Sequence, residues 1–222
     1  MSTRRRPGIR AGHPLPPAIV VGIDCMQGLQ TARILAARGV PVIATAEQPK
    51  HHATRSRSCR RVIIAGSNEA LIDELVRLGP TLDAKGVLVP CKDGLVGAVA
   101  AARERLAPWF HVVLPADATL HALTDKAAFA AHSAAHGLPV PDTRVVATTS
   151  DIDDVIGGIR YPCVVKPPSR TASWTSHTVE KAFRAADEPE LRRIYERCRP
   201  WADQLLIQEW VPGAVRELYS CN

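Results

Sequence analysis

From Pro17 onward, short runs of β-branched and aliphatic residues alternate with amphipathic stretches of helical length. That alternation restricts the chain to an α/β architecture with a largely parallel sheet. Ala18–Ile23 reads as a buried strand, Asp24–Gly28 as a turn, Leu29–Arg38 as a helix closed by Gly39, and Val40–Ala44 as the next strand. Val62–Ala65, Ser67–Leu78 with Ser67 as its cap, and Gly86–Val89 repeat the cycle, which Asp93–Leu106 and His111–Leu114 complete. The expectation is a Rossmann-like domain over residues 17–115, preceded by a disordered basic tail at 1–16 and followed by a second domain over 116–222.

The chain has 222 residues, 46% hydrophobic and 23% charged, which fits folded globular domains and excludes collagen-like, coiled-coil and disordered classes. No apolar run approaches the roughly 18–20 residues of a membrane-spanning helix, so no membrane partner is expected. The formal net charge of +6 is concentrated in Arg4, Arg5, Arg6 and Arg10, and in Lys50, Arg55, Arg57, Arg60 and Arg61; what remains is slightly acidic. Neither basic segment holds an aromatic residue to stack on bases, which argues against a nucleic-acid partner. Six cysteines without a C-x-x-C pair, and no export signal, point to reduced thiols in the cytoplasm rather than to a zinc or redox site.

Two loops in the first half are candidates for a polar ligand. Gly22, Asp24 and Gly28 lie at the first strand-to-helix turn, where backbone N–H groups gather, but the complete G-x-G-x-x-G fingerprint of dinucleotide binding is missing. Cys91-Lys92-Asp93-Gly94 follows a later strand, with Asp93 as a plausible helix cap.

The second half carries stronger signals. Lys126 stands in the first turn of a helix running to about His136, where a cation opposes the helix dipole and so suggests service to an external anion such as a phosphate. Tyr161–Pro168 places Lys166 at the end of a buried strand, a position where a lysine usually has an anion. Ser169–His177 reads as a hydroxyl-rich, turn-like flap leading into a strand over Thr178–Arg184. Glu190–Cys198 is helical, Gln204–Glu209 is a strand, Trp210–Gly213 is a turn, and Glu217–Asn222 opens a further strand. His132 and His136 are four apart but lack the glutamate of H-E-x-x-H and read as surface residues; Trp174 and Trp210 read as packing residues.

The order D-K at a helix start, Y-P-x-V-V-K-P, a polar flap, I-Q-E-W-V-P-G and then E-L-Y-S resembles the ATP-grasp superfamily, and within it the carboxylate–amine ligases. The resemblance extends to the first half, where a Rossmann-like pre-ATP-grasp domain with a segment like T-R-S-R-S-C-R-R is similar to what those ligases carry. It implies an α/β fold in which the pre-ATP-grasp domain is followed by a truncated α+β ATP-grasp domain.

The resemblance further implies that Lys126 and Lys166 contact the α- and β-phosphates of ATP, that Gln208, Glu209, Trp210 and Val211 form the adenine hinge, and that Glu217 holds the ribose hydroxyls. Gln208 stands where many relatives have a glutamate. Ser173, Thr175 and Ser176 occupy the place of the family's glycine-rich phosphate loop. The reaction implied is ATP-dependent joining of a small-molecule carboxylate to an amine through an acyl phosphate. Magnesium ions would bridge the phosphates, with ligands on strands downstream of the ribose acid. The expectation for the chain alone is weak ATP binding without ligation, with neither catalytic nor metal-binding residues of its own. The alternative is a non-catalytic nucleotide- or partner-binding module.

Overall fold

The computed structural model describes residues 15–147 and 152–213, so most of the basic tail and the stretch containing Glu217 lie outside the described residues. The chain divides into two compact units, Met1–Asp117 and Ala118–Asn222.

In the first unit, strands β1 (Ala18–Val21), β2 (Val42–Ala46), β3 (Arg61–Ile64), β4 (Gly86–Pro90) and β5 (Phe110–Val112) form an all-parallel sheet in the order β3-β2-β1-β4-β5. Helices α1 (Met26–Ala36), α2 (Asn68–Leu78), α3 (Asp93–Ala101) and α4 (Arg103–Leu106) connect them. β1 is apolar throughout because both its faces are covered. Ile19 and Val21 pack with Leu71, Leu75 and Leu88, while Val20 packs with Ala32, Val42 and Ala44. Ser67 caps α2 as its sequence predicts, its hydroxyl accepting from Ala70 N at 3.2 Å, and Gly39 takes the positive φ of 78° that ends the α1 turn. The stretch Asp93–Leu106, expected as one helix, breaks at Ala102, whose φ and ψ of −98° and 13° leave the helical region. Just past the break, the Arg103 guanidinium fastens the chain after β5 by donating to the carbonyls of Leu114 and Pro115 at 3.2 and 2.8 Å.

Helix α5 (Asp117–Thr124) follows, with no counterpart in the sequence reading. The second unit contains α6 (Lys126–Ala135), β6 (Thr143–Ala147), α7 (Asp153–Ile156), β7 (Cys163–Lys166), α8 (Ala172–His177), β8 (Phe183–Ala185), α9 (Glu188–Cys198) and β9 (Gln204–Glu209). Its four strands form an antiparallel sheet in the order β6-β9-β7-β8. One face, bearing Cys163, Val165, Leu205 and Ile207, packs on Leu191, Ile194 and Tyr195 of α9.

The segment expected as a turn-like flap is instead the helix α8. Thr171 caps it by accepting from Trp174 N at 3.2 Å, and Trp174 is fully buried against Phe183 and Trp201. Burying an indole outweighs the weak helix preference of the surrounding Ser and Thr. The strand expected over Thr178–Arg184 shrinks to Phe183–Ala185, and β6 is a further strand beyond those the sequence pattern predicts. Among the described residues no helix is long and apolar enough to cross a membrane.

Candidate functional site

Asp125 caps α6, its carboxylate accepting from Ala127 N and Ala128 N at 2.9 Å each, and this fixes Lys126 as the first helical residue. The Lys126 Nζ then donates to the carbonyl of Pro168 at 2.9 Å, just beyond the end of β7. Lys166 closes β7, and its register puts Val164 opposite Gln208 and Lys166 opposite Leu206. Side chains alternate along a strand, so Lys166 and Gln208 emerge on one face, away from α9.

The Lys166 Nζ donates to Gln208 Oε1 at 2.6 Å, and Gln208 Nε2 donates to Thr143 Oγ1 at 2.7 Å. The Thr143 hydroxyl gives its single proton to the Pro141 carbonyl at 2.8 Å. Its oxygen can therefore only accept from Gln208, which orients the amide with its carbonyl toward the lysine. The anion expected beside Lys166 is thus replaced, in this chain, by a neutral amide.

Lys126, Phe129, Val140, Thr143, Lys166 and Gln208 line a cavity of about 300 Å³, and no carboxylate lines it among the described residues. Burial, and next the charge of Lys126, hold the Lys166 ammonium below its ordinary value. Two cations without an ion pair among the described residues, beside an apolar wall, suit this cavity to an anion with an apolar body.

At the exit of β9, Glu209 N donates to Asp142 O at 2.8 Å while its carboxylate accepts from Asp142 N and pairs with Arg160 at 3.0 Å. Trp210 N donates to Pro162 O at 3.2 Å, the indole lies 5.4 Å from the Arg184 guanidinium, and Val211 is exposed. These bonds hold the segment after β9 against two neighbouring strand ends.

The hydroxyls of the α8 segment point elsewhere. Thr175 donates to Thr171 O, and Ser176 donates to Ser173 O at 2.7 Å, so both are turned back onto their own helix. Ser173 borders a separate depression of about 800 Å³ with Asp125, Thr171 and Asp203. Lys126, Lys166 and Gln208 are therefore brought to one cavity, and the three hydroxyl residues are not; Glu217 lies outside the described residues. Thr143, Phe129 and Val140 escaped the sequence reading, although the T-R-V-V-A alternation around Thr143 is a strand signal that could have found it.

In the first unit, the Asp24 carboxylate pairs with Lys92 at 2.8 Å and accepts from Glu47 N and Gln48 N. Burial pushes its carboxyl up, but the Lys92 ammonium and these N–H groups outweigh it, and the net shift is downward. Lys92, not Asp93, occupies the cap position of α3. Gly28 is a packing residue: a Cβ there would lie 2.1 Å from Gly22 O. The rings of His132 and His136 meet at a tilt of 32° with centroids 4.1 Å apart, and among the described residues no group of three or more His, Cys, Asp or Glu could hold a metal ion.

No family model matches the chain, and no curated protein matches it. Solved structures do. An N5-carboxyaminoimidazole ribonucleotide synthetase in complex with ADP matches with a TM-score of 0.66 at 14% identity, over 89% of this chain and 48% of its own. The L-amino acid ligase from Bacillus licheniformis matches with a TM-score of 0.64 at 13% identity, over 91% and 46%. The biotin carboxylase domain of the Hydrogenobacter thermophilus 2-oxoglutarate carboxylase, in complex with ADP and bicarbonate, matches with a TM-score of 0.62 at 15% identity, over 90% and 45%. At these identities the likeness is one of fold. The chain shares the fold of these structures, in line with the fold the sequence resemblance implied, and spans about half their length.

Proposed function

We propose that the second unit binds ATP, with Lys126 and Lys166 on the α- and β-phosphates and the hinge from Gln208 to Val211 along the purine. The observation that carries this reading is the convergence of two lysines, 40 positions apart in sequence, on one cavity free of lining carboxylates. Each ammonium now rests on a neutral acceptor, Pro168 O or Gln208 Oε1, and can be transferred to a phosphate oxygen without breaking an ion pair. Phe129, Val140 and Leu206 supply the apolar surface a purine needs. Glu209 N is committed to Asp142 O and Trp210 N to Pro162 O, so the Glu209 carbonyl and the Val211 backbone N–H are the groups proposed to read the base edge. Glu217 is proposed for the ribose hydroxyls, and Ser173, Thr175 and Ser176 for the phosphates once their helix has rearranged.

In a protein carrying the rest of such a fold, the reaction is carboxylate–amine ligation in the cytoplasm. A carboxylate oxygen attacks the γ-phosphorus and ADP leaves; the amine then attacks the acyl carbon, phosphate leaves, and the amine loses a proton. The two lysines stabilise the charge that gathers on the departing ADP. Magnesium, which the resemblance also implies, finds no ligand set among the described residues, and no step here passes through it.

Equilibrium titration with a fluorescent ATP analogue tests the reading. Saturable binding that unlabelled ATP displaces and Lys166→Ala abolishes is the expected result. Unaltered affinity in that variant removes Lys166 from the site, and no nucleotide binding at all leaves the partner-binding module.

A further inference from the structure

Strand β8 is the last strand of its sheet among the described residues, and its outer edge is exposed at Arg184 and part-exposed at Phe183, while Ala185 is fully buried. Around that edge lies a depression of about 390 Å³ lined by Phe183, Arg184, Glu190, Arg193, Ile194 and Arg197. The three guanidiniums differ from others in this unit. Arg160, Arg192 and Arg199 each pair with a carboxylate, whereas Arg184, Arg193 and Arg197 have no ion pair among the described residues. The one acid in the lining, Glu190, is occupied by Ala186 N at 2.8 Å. Two of the guanidiniums are held in place by rings: Arg197 lies 4.3 Å over Phe183, and Arg184 lies 5.4 Å from the Trp210 ring.

We propose that this edge docks an acidic, extended peptide segment of a partner protein, which adds to the sheet beside β8. The placement of the charges favours a strand over a compact anion. Arg184 is opposite Val164 in the register and so lies on the same sheet face as Lys166, whereas Arg193 and Arg197 rise from α9, which covers the other face. Side chains of an added strand alternate between those two faces, so acidic residues at successive positions meet Arg184 on one side and the α9 pair on the other. The backbone of the peptide pairs with β8 where the strand is exposed, at Phe183 and Arg184, and Phe183 and Ile194 give it an apolar floor. The same cations keep the edges of two copies of this chain apart.

The test is fluorescence anisotropy with a fluorescein-labelled octapeptide of five glutamates and three threonines, beside its lysine-for-glutamate counterpart. The expected result is saturable binding of the acidic peptide alone, weakened at least tenfold in Arg193→Glu/Arg197→Glu and unaffected in Arg55→Glu/Arg57→Glu, a control on the other basic segment. Amide exchange at residues 183–185 of the unaltered protein should slow on binding. Arg184→Glu serves as the second variant should the double variant fail to fold. Absence of binding, equal weakening by the control, binding without slowed exchange, or pyrophosphate binding at the site in place of the peptide would each overturn the proposal.

Discussion

The Lys166 Nζ lies 2.6 Å from Gln208 Oε1, and the amide is in turn fixed by Thr143. A glutamate at 208 would neutralise the lysine; the amide orients it and leaves its charge unspent. The cavity therefore keeps the full positive charge of Lys126 and Lys166 for a ligand, at the cost of a lowered affinity of Lys166 for its proton.

That cost is visible in pH. An ammonium binds a polyanion only while protonated, so nucleotide affinity holds below the folded value of Lys166 and falls as pH rises through it, which happens before the ordinary lysine value of 10.5. Titrating the fluorescent ATP analogue across the alkaline range should show this early decline. Lys166→Arg should move it upward because guanidinium stays charged, and Gln208→Glu should move it toward 10.5 by pairing with the lysine. A decline that neither variant shifts would detach the pH dependence from Lys166.

Asp24 makes an opposite prediction. Its folded value lies below the ordinary 3.8, so its contribution to stability is complete above 3.8 and disappears as pH falls through the folded value. Asp24→Asn should cost about 1.5–3 kcal/mol near neutral pH, the range for a hydrogen bond to a charged group. Urea unfolding at pH 7 and between pH 4 and 2 should show the difference from the unaltered chain narrowing in acid.

Gly28 tests the close approach of α1 to the turn after β1. With a Cβ 2.1 Å from a backbone oxygen, Gly28→Ala must displace the helix and should lose about 1–3 kcal/mol or more in thermal unfolding, although alanine is the better helix former. A stabilised Gly28→Ala would show that this contact has room to relax.

Trp174 reports on α8. It is fully buried, and its Nε1 donates to Glu180 O at 2.9 Å, so Trp174→Ala should destabilise the second unit by about 3–5 kcal/mol. The helical content of 172–177, read from amide exchange, should fall with it. A flap independent of this side chain would leave both unchanged.

Where apolar period and capping agree, the sequence is legible: β1, α2 with its Ser67 cap, and β9 all lie where their patterns place them. The segment Ser169–His177 is not, because its local composition favours turns and its conformation is decided by one tryptophan reaching a pocket made by Phe183 and Trp201. Lys126 and Lys166 could be singled out as cations in awkward positions, one opposing a helix dipole and one ending a buried strand. Their shared cavity could not, since it depends on the β6-β9-β7 pairing that brings Thr143 beside Gln208. Asp24 and Gly28 show the converse: a loop with the residues of a ligand site is explained by an ion pair to Lys92 and by packing on Gly22.

The most direct measurement is a crystal structure of the protein with a non-hydrolysable ATP analogue. The account predicts the α- and β-phosphates within hydrogen-bond distance of both Lys126 Nζ and Lys166 Nζ, with the purine edge against Glu209 and Val211. A triphosphate bound away from that cavity, or touching neither lysine, would contradict it.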